Sequence, residues 1–478
     1  MPRLSSYKEP SDPRLVDKAY GYNPLFDILR ANDVEALEEY LEEFPPSDDK
    51  VPGGVGDIFE EAIRFGSVDG YQKLVAYQKA QAAAGSDLLS PPYKPLWHAC
   101  SYRQVDMVRH LLSTLDNAEA GISDTVYSGY TPLLCACSCL TNLDTDWLRR
   151  NQVTPATNLR YSEEIVDLLL DRGSSVQDRY YGRYHDDPPD GEEPELYETV
   201  LSLAITNAGP DLVRRLIDLG APLQLPLRFP GEPTVRGATL MHIVATYANV
   251  EAIEILLGMP EGRVMLTTRD GEGRLPLHWA SGCSHHDVFE RPVYDEQTTA
   301  SRVAATLKLL LPHSPVNAPD SLGNTPLHHA AQRLPGRLDT IRVLLEHGAD
   351  PSLSNNADGD TPAHVAPRSQ LYLNANHWTD MSQEIEKAFE LFEKAANGGN
   401  AKLRDRPNNA GMTPRGLLNE ERAKLEQRVA KRAERFARGR GGGRGGEGAE
   451  GAGPEGARLG TPHDGATHIK QRVKRGSL

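Results

Sequence analysis

The chain has 478 residues, a formal net charge of −15 and five cysteines, with 39% hydrophobic and 6% aromatic residues. One globular core rarely grows beyond ~250–300 residues, so this length predicts several domains or a repeat architecture. The cysteines follow no disulfide-framework spacing, the first residues hold no apolar signal region, and no apolar run reaches the ~18–20 residues that span a bilayer. We therefore expect an intracellular protein, cytoplasmic, nuclear or both, with no membrane partner.

The charge is unevenly distributed along the chain. Residues 401–478 contain 18 Lys and Arg against 9 Asp and Glu, which leaves 34 against 58 in residues 1–400. The acidic body should repel nucleic acid and attract protein partners with a basic surface, whereas the basic tail should do the reverse.

The first predicted element, residues 1–19, is a flexible lead. Residues 23–41 and 58–75 follow as two degenerate helix pairs rich in Glu and Gln. An end unit whose outer face meets water has this composition, so we expect the two pairs to form an N-terminal cap.

A turn–helix–turn–helix pattern recurs from Pro95 onward and is clearest in residues 320–351. Thr325 and Pro326 place a hydroxyl cap and a fixed φ at the start of one helix, and Gly348 suits the left-handed end of a second. One such pair cannot bury its own apolar face, so it must stack on copies of itself. The positions equivalent to Pro326 recur with a basic interval near 34 residues, at 24, 58, 95, 132, 200, 240, 276, 326, 362 and 414.

The sequence motif TPLHHAA, followed by GAD, resembles the ankyrin repeat, whose signature is TPLHxA at a period of ~33 residues. The resemblance covers residues 20–418. It implies an all-α ankyrin-repeat solenoid of about ten repeats with β-hairpin-like finger loops. It also implies a non-catalytic scaffold or adaptor that binds proteins through an extended concave surface. We find no nucleophile elbow, phosphate loop or zinc-protease motif, and therefore predict no catalytic site, no cofactor and no small-molecule substrate.

Long polar insertions interrupt the array near residues 141–162, 178–198, 285–302 and 367–382. Insertions in repeat proteins map to loops, often on the binding face. These loops are where we expect this array to differ from a plain one.

The C-terminal part divides into a helix and a tail. Residues 419–437 are rich in helix formers and continue a narrow apolar stripe formed by Leu418, Leu425, Val429 and Phe436. We predict a capping helix over the end of the stack, with a coiled-coil or partner helix as the alternative. Residues 438–478 begin RGRGGGRGG and cannot build a core, which predicts a disordered tail.

Two cysteine-containing groups suggest metal sites, but neither has the required spacing. Cys135, Cys137 and Cys139 form CxCxC, and helix positions two apart diverge by about 200°, so buried small hydrophobes are the favoured interpretation. A second group comprises Cys283, His285, His286 and Asp287. No second ligand pair stands near it, so we predict no metal there either.

One histidine position recurs in three repeats, as His278, His328 and His364. Three repeats would not each need the same acid or base, which argues against catalysis. In the ankyrin resemblance this histidine hydrogen-bonds with the threonine of its own motif and locks the turn to the helix. Thr325 and Thr361 keep that pair, whereas Leu275 replaces the threonine and puts the lock of His278 in doubt.

Two groups of residues are candidates for partner contact. Tyr and Arg are enriched at interface hot spots, which favours a recognition role for Tyr180, Tyr181, Arg183 and Tyr184. The alternative is that these rings pack against neighbouring repeats. Position alone indicates loop-tip candidates at Tyr127, Tyr130, Arg236, Arg269, Asp270, Glu272, Asp320, Asn324, Asp358 and Asp360.

The tail resembles the arginine-glycine segments of RNA-associated proteins, in which guanidinium groups contact phosphates and stack on bases. The residues concerned are Arg438, Arg440 and Arg444. An RNA-associated or nuclear regulatory factor that acts through the tail is therefore the competing function. A solubilising tail, or one that folds back onto the acidic repeats, is equally consistent with the charges. Lys431-Arg432 and Lys474-Arg475 could contribute to a nuclear import signal.

Overall fold

The computed structural model describes residues 24–44, 58–83, 94–114, 116, 121–125, 129–141, 153–180, 198–224, 236–282, 295–334, 336–368, 378–396 and 402–440. Within these residues, successive helices form pairs. The first helix of each pair, called the inner helix, spans Pro24–Arg30, Ile58–Phe65, Pro95–Ser101, Pro132–Thr141, Val200–Ala204, Leu240–Tyr247, Pro276–Ala280, Pro326–Gln332 and Pro362–Val365. The second, the outer helix, spans Val34–Glu43, Val68–Ala83, Val105–Thr114, Pro155–Asp171, Pro210–Asp218, Val250–Leu257, Glu296–Leu310, Leu338–Glu346 and Trp378–Ala395.

Local sequence explains where the inner helices begin. The helix at Pro326 starts with proline, whose missing N–H costs nothing in a first turn, and with Thr325 as its N-cap in extended conformation. The outer helix of the same pair ends before Gly348, whose φ is +89°. The helix–turn–helix unit therefore has the form that the sequence predicts.

The pairs stack on one another through a continuous apolar core. Leu327, Ala330 and Ala331 of one inner helix and Ile341 and Leu344 of its outer helix are fully buried. Most inner helices contact the following inner helix and most outer helices contact the following outer helix, and one cluster of buried side chains extends from Leu25 to Leu418. The core grows pair by pair, and the predicted all-α repeat fold is confirmed.

Three outer helices begin earlier than the sequence analysis indicates. Helices start at Pro155, Glu296 and Trp378, inside the predicted insertions 141–162, 285–302 and 367–382. At the first two, Thr154 and Asp295 accept a backbone N–H of the first turn, so a side-chain cap nucleates the helix ahead of its apolar stretch. The predicted insertions are correspondingly shorter.

The remaining elements are a strand pair and the C-terminal helix. In the described part of the chain the one strand pair joins Arg179–Tyr180 to Glu198–Thr199 antiparallel, at the base of the insertion 178–198. The C-terminal helix spans Pro414–Arg440; it begins before the predicted boundary at 418/419 and includes Arg438 and Arg440 of the predicted tail. A short helix, Pro260–Met265, and 3₁₀ turns at Leu311–His313, Ala366–Arg368 and Leu403–Asp405 complete the elements.

The first compact unit ends at Leu425 and a second comprises Glu426–Leu478, of which the helical part to Arg440 is described. In the first unit Leu418, of the predicted apolar stripe, is buried. No helix among the described residues is long and apolar enough to cross a bilayer.

Candidate partner-binding surface

Four tight turns come directly before the helices that begin at Pro276, Pro326, Pro362 and Pro414. We call them the finger loops: residues 270–274, 320–324, 355–360 and 408–412. Each starts with Asp or Asn, whose side chain accepts two backbone N–H groups of its own loop. In the second loop, Asp320 Oδ1 lies 2.9 Å from the Leu322 nitrogen and 2.8 Å from the Asn324 nitrogen. These side-chain bonds fix the loop conformation from within.

Backbone hydrogen bonds connect each finger loop to the next, and one more connects the first loop to Arg236. The donors and acceptors are Gly271 N to Arg236 O (2.6 Å), Ser321 N to Glu272 O (2.9 Å), Asn356 N to Leu322 O (2.9 Å) and Asn409 N to Asp358 O (3.0 Å). The approach is close: at Gly323, with φ +82°, an added Cβ would lie 2.7 Å from the Asn356 nitrogen. Arg236 and the four finger loops therefore form one fixed row.

The recurring histidine joins neighbouring repeats. The Thr325 N–H donates to His328 Nδ1 at 3.1 Å, the Thr325 hydroxyl lies 2.9 Å from the same nitrogen, and His328 Nε2 donates to the Asp360 carbonyl at 3.0 Å. Thr361 and His364 repeat the arrangement, which confirms the lock at both sites. The bond from Nε2 to the next repeat is an addition that the sequence does not reveal.

Two further histidines make the same connection. His242, with Thr239, donates to the Arg274 carbonyl at 3.1 Å. His278 keeps most of the lock despite Leu275, because the Leu275 N–H donates to Nδ1 at 3.0 Å and Nε2 donates to the Ala318 carbonyl at 3.0 Å. Only the hydroxyl contact is missing there, so the doubt raised by the sequence applies to one contact of three.

Three of the predicted tip carboxylates are buried instead. The side chains of Asp270, Asp320 and Asp360 are 0%, 5% and 2% exposed. They bind their own array: Asp270 accepts from the indole of Trp279 at 2.9 Å, Asp320 pairs with His329 at 2.9 Å, and Asp360 accepts from Asn408 at 2.6 Å. These carboxylates hydrogen-bond within the array and are covered by it, so they are not accessible to a partner.

Other predicted tip residues do lie on the outside of the row. Arg236 and Arg269 are exposed, and the side chains of Glu272 and Asp358 are 45% and 62% exposed. Asn324 is half-buried and accepts from Asn355 Nδ2 at 3.2 Å. The sequence analysis overlooked Leu322, which is 60% exposed. The sequence could have indicated this exposed residue, because a leucine between Ser321 and Gly323 occupies a turn in which polar residues are usual.

The tyrosines near the strand pair pack on the array. The Tyr130 ring lies 4.5 Å from that of Tyr180, edge to face, and the Tyr130 hydroxyl donates to the Glu198 carboxylate. Glu198 is 8% exposed, and burial raises its pKa to about 7. These contacts favour the packing interpretation for Tyr180. The other predicted residues of this region, Tyr127, Tyr181, Arg183 and Tyr184, lie outside the described residues.

The cysteines of the CxCxC motif are all buried, as the structural interpretation expects. A hydrogen bond from the Cys135 thiol lowers the pKa of Cys139 to about 7. Among the residues that the structure describes, no three His, Cys, Asp or Glu side chains are placed to hold a metal ion. Cys283, His285, His286 and Asp287 lie outside those residues, as does Arg444 of the tail.

Comparison with known proteins identifies the repeat. Residues 298–355 match the family model of ankyrin repeats, in three copies. The chain contains ankyrin repeats. Over 147 residues it is 31% identical to neurogenic locus notch homolog protein 1 of Homo sapiens, and over 190 residues it is 31% identical to the B-cell lymphoma 3 protein homolog of Mus musculus. These matches cover 27% and 36% of this chain, and 6% and 40% of the two relatives.

A crystal structure of the human ASB11 ankyrin repeat domain is 19% identical, covers 58% of this chain and 95% of that domain, and superposes with a TM-score of 0.36. Ankyrin repeats are generally non-catalytic and mediate protein–protein interaction. The repeats matched at residues 298–355 are therefore of a kind that mediates protein–protein interaction.

Proposed function

We propose that this chain is a non-catalytic scaffold or adaptor whose ankyrin array binds a protein partner through the finger-loop row. The observation that carries the proposal is the continuous hydrogen bonding of the row, since a fixed surface loses little conformational entropy on binding. The row exposes the charged side chains of Arg236, Arg269, Glu272 and Asp358. It also exposes one apolar side chain, that of Leu322. Because residues 1–400 are strongly acidic, the partner surface should be basic.

The array is proposed to contain ten repeats, with the tenth reduced to the helix that begins at Pro414. We propose that the protein acts inside the cell, in the cytoplasm, the nucleus or both.

Exchange of Leu322 for a photo-crosslinking phenylalanine derivative in the full chain is expected to capture the partner in cells. Val264 provides the matched control, because it is apolar and 64% exposed but lies in the helix Pro260–Met265, outside the row. Once the partner is identified, the double variant L322A/D358A should bind it about 5- to 30-fold more weakly, the usual range for interface hot spots. V264A should bind within twofold of the unaltered chain. Equal capture from positions 322 and 264, or unchanged affinity of the double variant, would refute the role of the row.

The competing proposal, contact with RNA through the tail, rests on the excess of Lys and Arg after residue 400. Deletion of residues 438–478 is expected to abolish retention on immobilised RNA at low salt and to leave capture at Leu322 intact. Equal retention with and without the tail would exclude that role.

A further inference from the structure

The charge of the C-terminal helix Pro414–Arg440 changes along its length. Residues 414–427 contain three Arg and Lys and three Glu, whereas residues 428–440 contain six Arg and Lys and one Glu. In the first part the charges pair within the helix, since Lys424 Nζ lies 2.9 Å from Glu420 and 2.8 Å from Glu421. The excess positive charge of the helix therefore begins at Arg428, in the second compact unit.

Five of these six basic residues lie on one face of the helix. Successive residues of an α-helix are rotated by about 100°, so five positions fall within an arc of about 120°. We call this set the basic ridge: Arg428, Lys431, Arg432, Arg435 and Arg438. The one glutamate of residues 428–440, Glu434, lies about 40° beyond the edge of the arc.

The positive charges of the basic ridge repel one another. Residues three and four apart are neighbours on a helix surface, and like charges at these spacings destabilise the helix. The ridge contains five such pairs, among them Arg428 with Arg432 and Lys431 with Arg435. Glu434 offsets one charge of the five. A polyanion along the ridge removes this repulsion, so the charge pattern favours a ligand with closely spaced negative charges.

The spacing of the charges matches a row of phosphates. From Arg428 to Arg438 the helix rises ~15 Å, which gives the five charges a mean spacing of ~3.8 Å. One strand of duplex DNA carries a phosphate every ~3.4 Å along its axis. A helix with its side chains is ~10–12 Å wide, and the major groove of B-form DNA is ~12 Å wide. Four of the five residues are arginines, which bind two phosphate oxygens at once.

Two other occupants fit the same helix less well. A coiled-coil partner requires apolar a and d positions, and a register that starts at Leu425 places Arg428 and Arg435 at d. An anionic membrane requires a broad apolar face. In residues 426–440 the bulky apolar residues are Val429 and Phe436, and the other apolar residues are alanines. Charge complementarity to a phosphate row is therefore the property that selects the ligand.

We propose that the basic ridge binds the phosphates of duplex DNA without reading the base sequence. Its side chains pair with successive phosphates of one strand, and each contact releases a condensed counterion. The inference does not depend on the finger-loop row. It also differs from a contact between the tail and RNA, because it requires both a helix and a duplex. The acidic residues 1–400 repel DNA, but at ~0.1 M salt charges more than ~10 Å away are largely screened.

Fluorescence anisotropy on the full chain tests the proposal with a labelled, mixed-sequence DNA duplex of about 20 base pairs. Between ~0.05 and ~0.2 M salt, five phosphate contacts predict a slope of about −4.5 for log affinity against log salt. R428Q/R432Q/R435Q should reduce the slope to about −2 and weaken binding at least about tenfold at ~0.1 M salt. A433P keeps every charge but breaks the helix, so it should weaken binding about fivefold or more.

Two control variants make the same charge change as R428Q/R432Q/R435Q. R30Q/R214Q/R342Q replaces three exposed arginines of the array, each paired with an aspartate three residues before it. R472Q/K474Q/R475Q replaces three basic residues of the tail. Both should bind the duplex within about twofold of the unaltered chain. An equal loss in the array variant would reduce the effect to net charge, and an equal loss in the tail variant would assign the contact to the tail.

An RNA duplex of the same sequence should bind at least about threefold more weakly, because the major groove of A-form RNA is deep and narrow. Vesicles that contain phosphatidylserine should not compete with the DNA duplex. Unchanged DNA binding in R428Q/R432Q/R435Q or in A433P, tighter binding of the RNA duplex, or displacement of the DNA by the vesicles would overturn the proposal.

Discussion

Acidification from pH 7 to pH 5 is expected to destabilise the array by several kcal/mol while most of its exposed carboxylates remain ionised. The cause is the row of buried histidines, each of which needs a neutral ring: Nδ1 accepts from a backbone N–H and Nε2 donates to the next repeat. Burial lowers the pKa of His242 and His328 to about 4 and that of His278 to about 3. Burial also lowers the pKa of His364.

The sign follows from the proton balance between the folded and unfolded chains. An unfolded histidine has a pKa near ~6.5, so between that value and the folded pKa the unfolded state binds more protons. The contribution of the His242, His278 and His328 locks to stability is therefore complete above pH ~6.5 and is lost as the pH falls towards their folded pKa values. One pKa unit corresponds to ~1.4 kcal/mol, so between pH ~6.5 and pH 5 each of His242, His278 and His328 loses on the order of 2 kcal/mol of stabilisation.

Glu198 opposes this trend. Because its folded pKa is raised to about 7, the native state binds its proton first, and this group adds stability as the pH falls from 7 towards 4.5. Urea unfolding of E198Q should therefore show a steeper loss of stability on acidification than the unaltered chain. H313Q, at an exposed histidine of the turn Leu311–His313, should not change the slope. A midpoint that stays constant between pH 7 and pH 5 in E198Q would contradict the role of the histidines.

The sequence could predict the elements whose local signals agree with their packing. Pro326 begins a helix in the structure, as expected, because a proline with a threonine cap specifies a first turn whatever follows it. Cys137 is buried because a small apolar residue is required at that repeat position. The fold class follows from such agreement repeated many times along the chain.

The candidate surface was less predictable, because exposure depends on contacts between repeats. Asp270 and Asp358 have the same chemistry and both stand in finger loops, yet one is buried and the other is 62% exposed. The difference comes from Arg274 and Trp279, which cover Asp270 only after the loop has folded onto its helix.

Replacement of Asp270 by alanine is expected to lower the free energy of unfolding by about 3–5 kcal/mol, because it would leave a buried charge and several buried donors without their acceptor. Asp270 Oδ1 accepts from the Glu272 and Arg274 nitrogens at 2.9 and 2.8 Å, and Oδ2 accepts from Arg274 Nε at 2.8 Å and from Trp279 Nε1 at 2.9 Å. The Arg274 side chain is 6% exposed. Glu272, at 2.9 Å from Arg274, retains one counter-charge, which favours the lower end of the range.

Urea denaturation of D270A, D270N and D358A separates this structural role from partner contact. D270N keeps an oxygen for the two backbone N–H groups but loses the charge opposite Arg274, so its loss of stability should be intermediate. D358A removes an exposed carboxylate from the same row and should change stability by no more than about 0.5 kcal/mol. If D270A lost less than ~1 kcal/mol, the carboxylate would not be the internal anchor of its loop. Weakened partner binding in D358A without loss of stability would place the partner contact at the exposed carboxylate of Asp358. The two aspartates would then have separate roles, because Asp270 stabilises its loop and Asp358 contacts the partner.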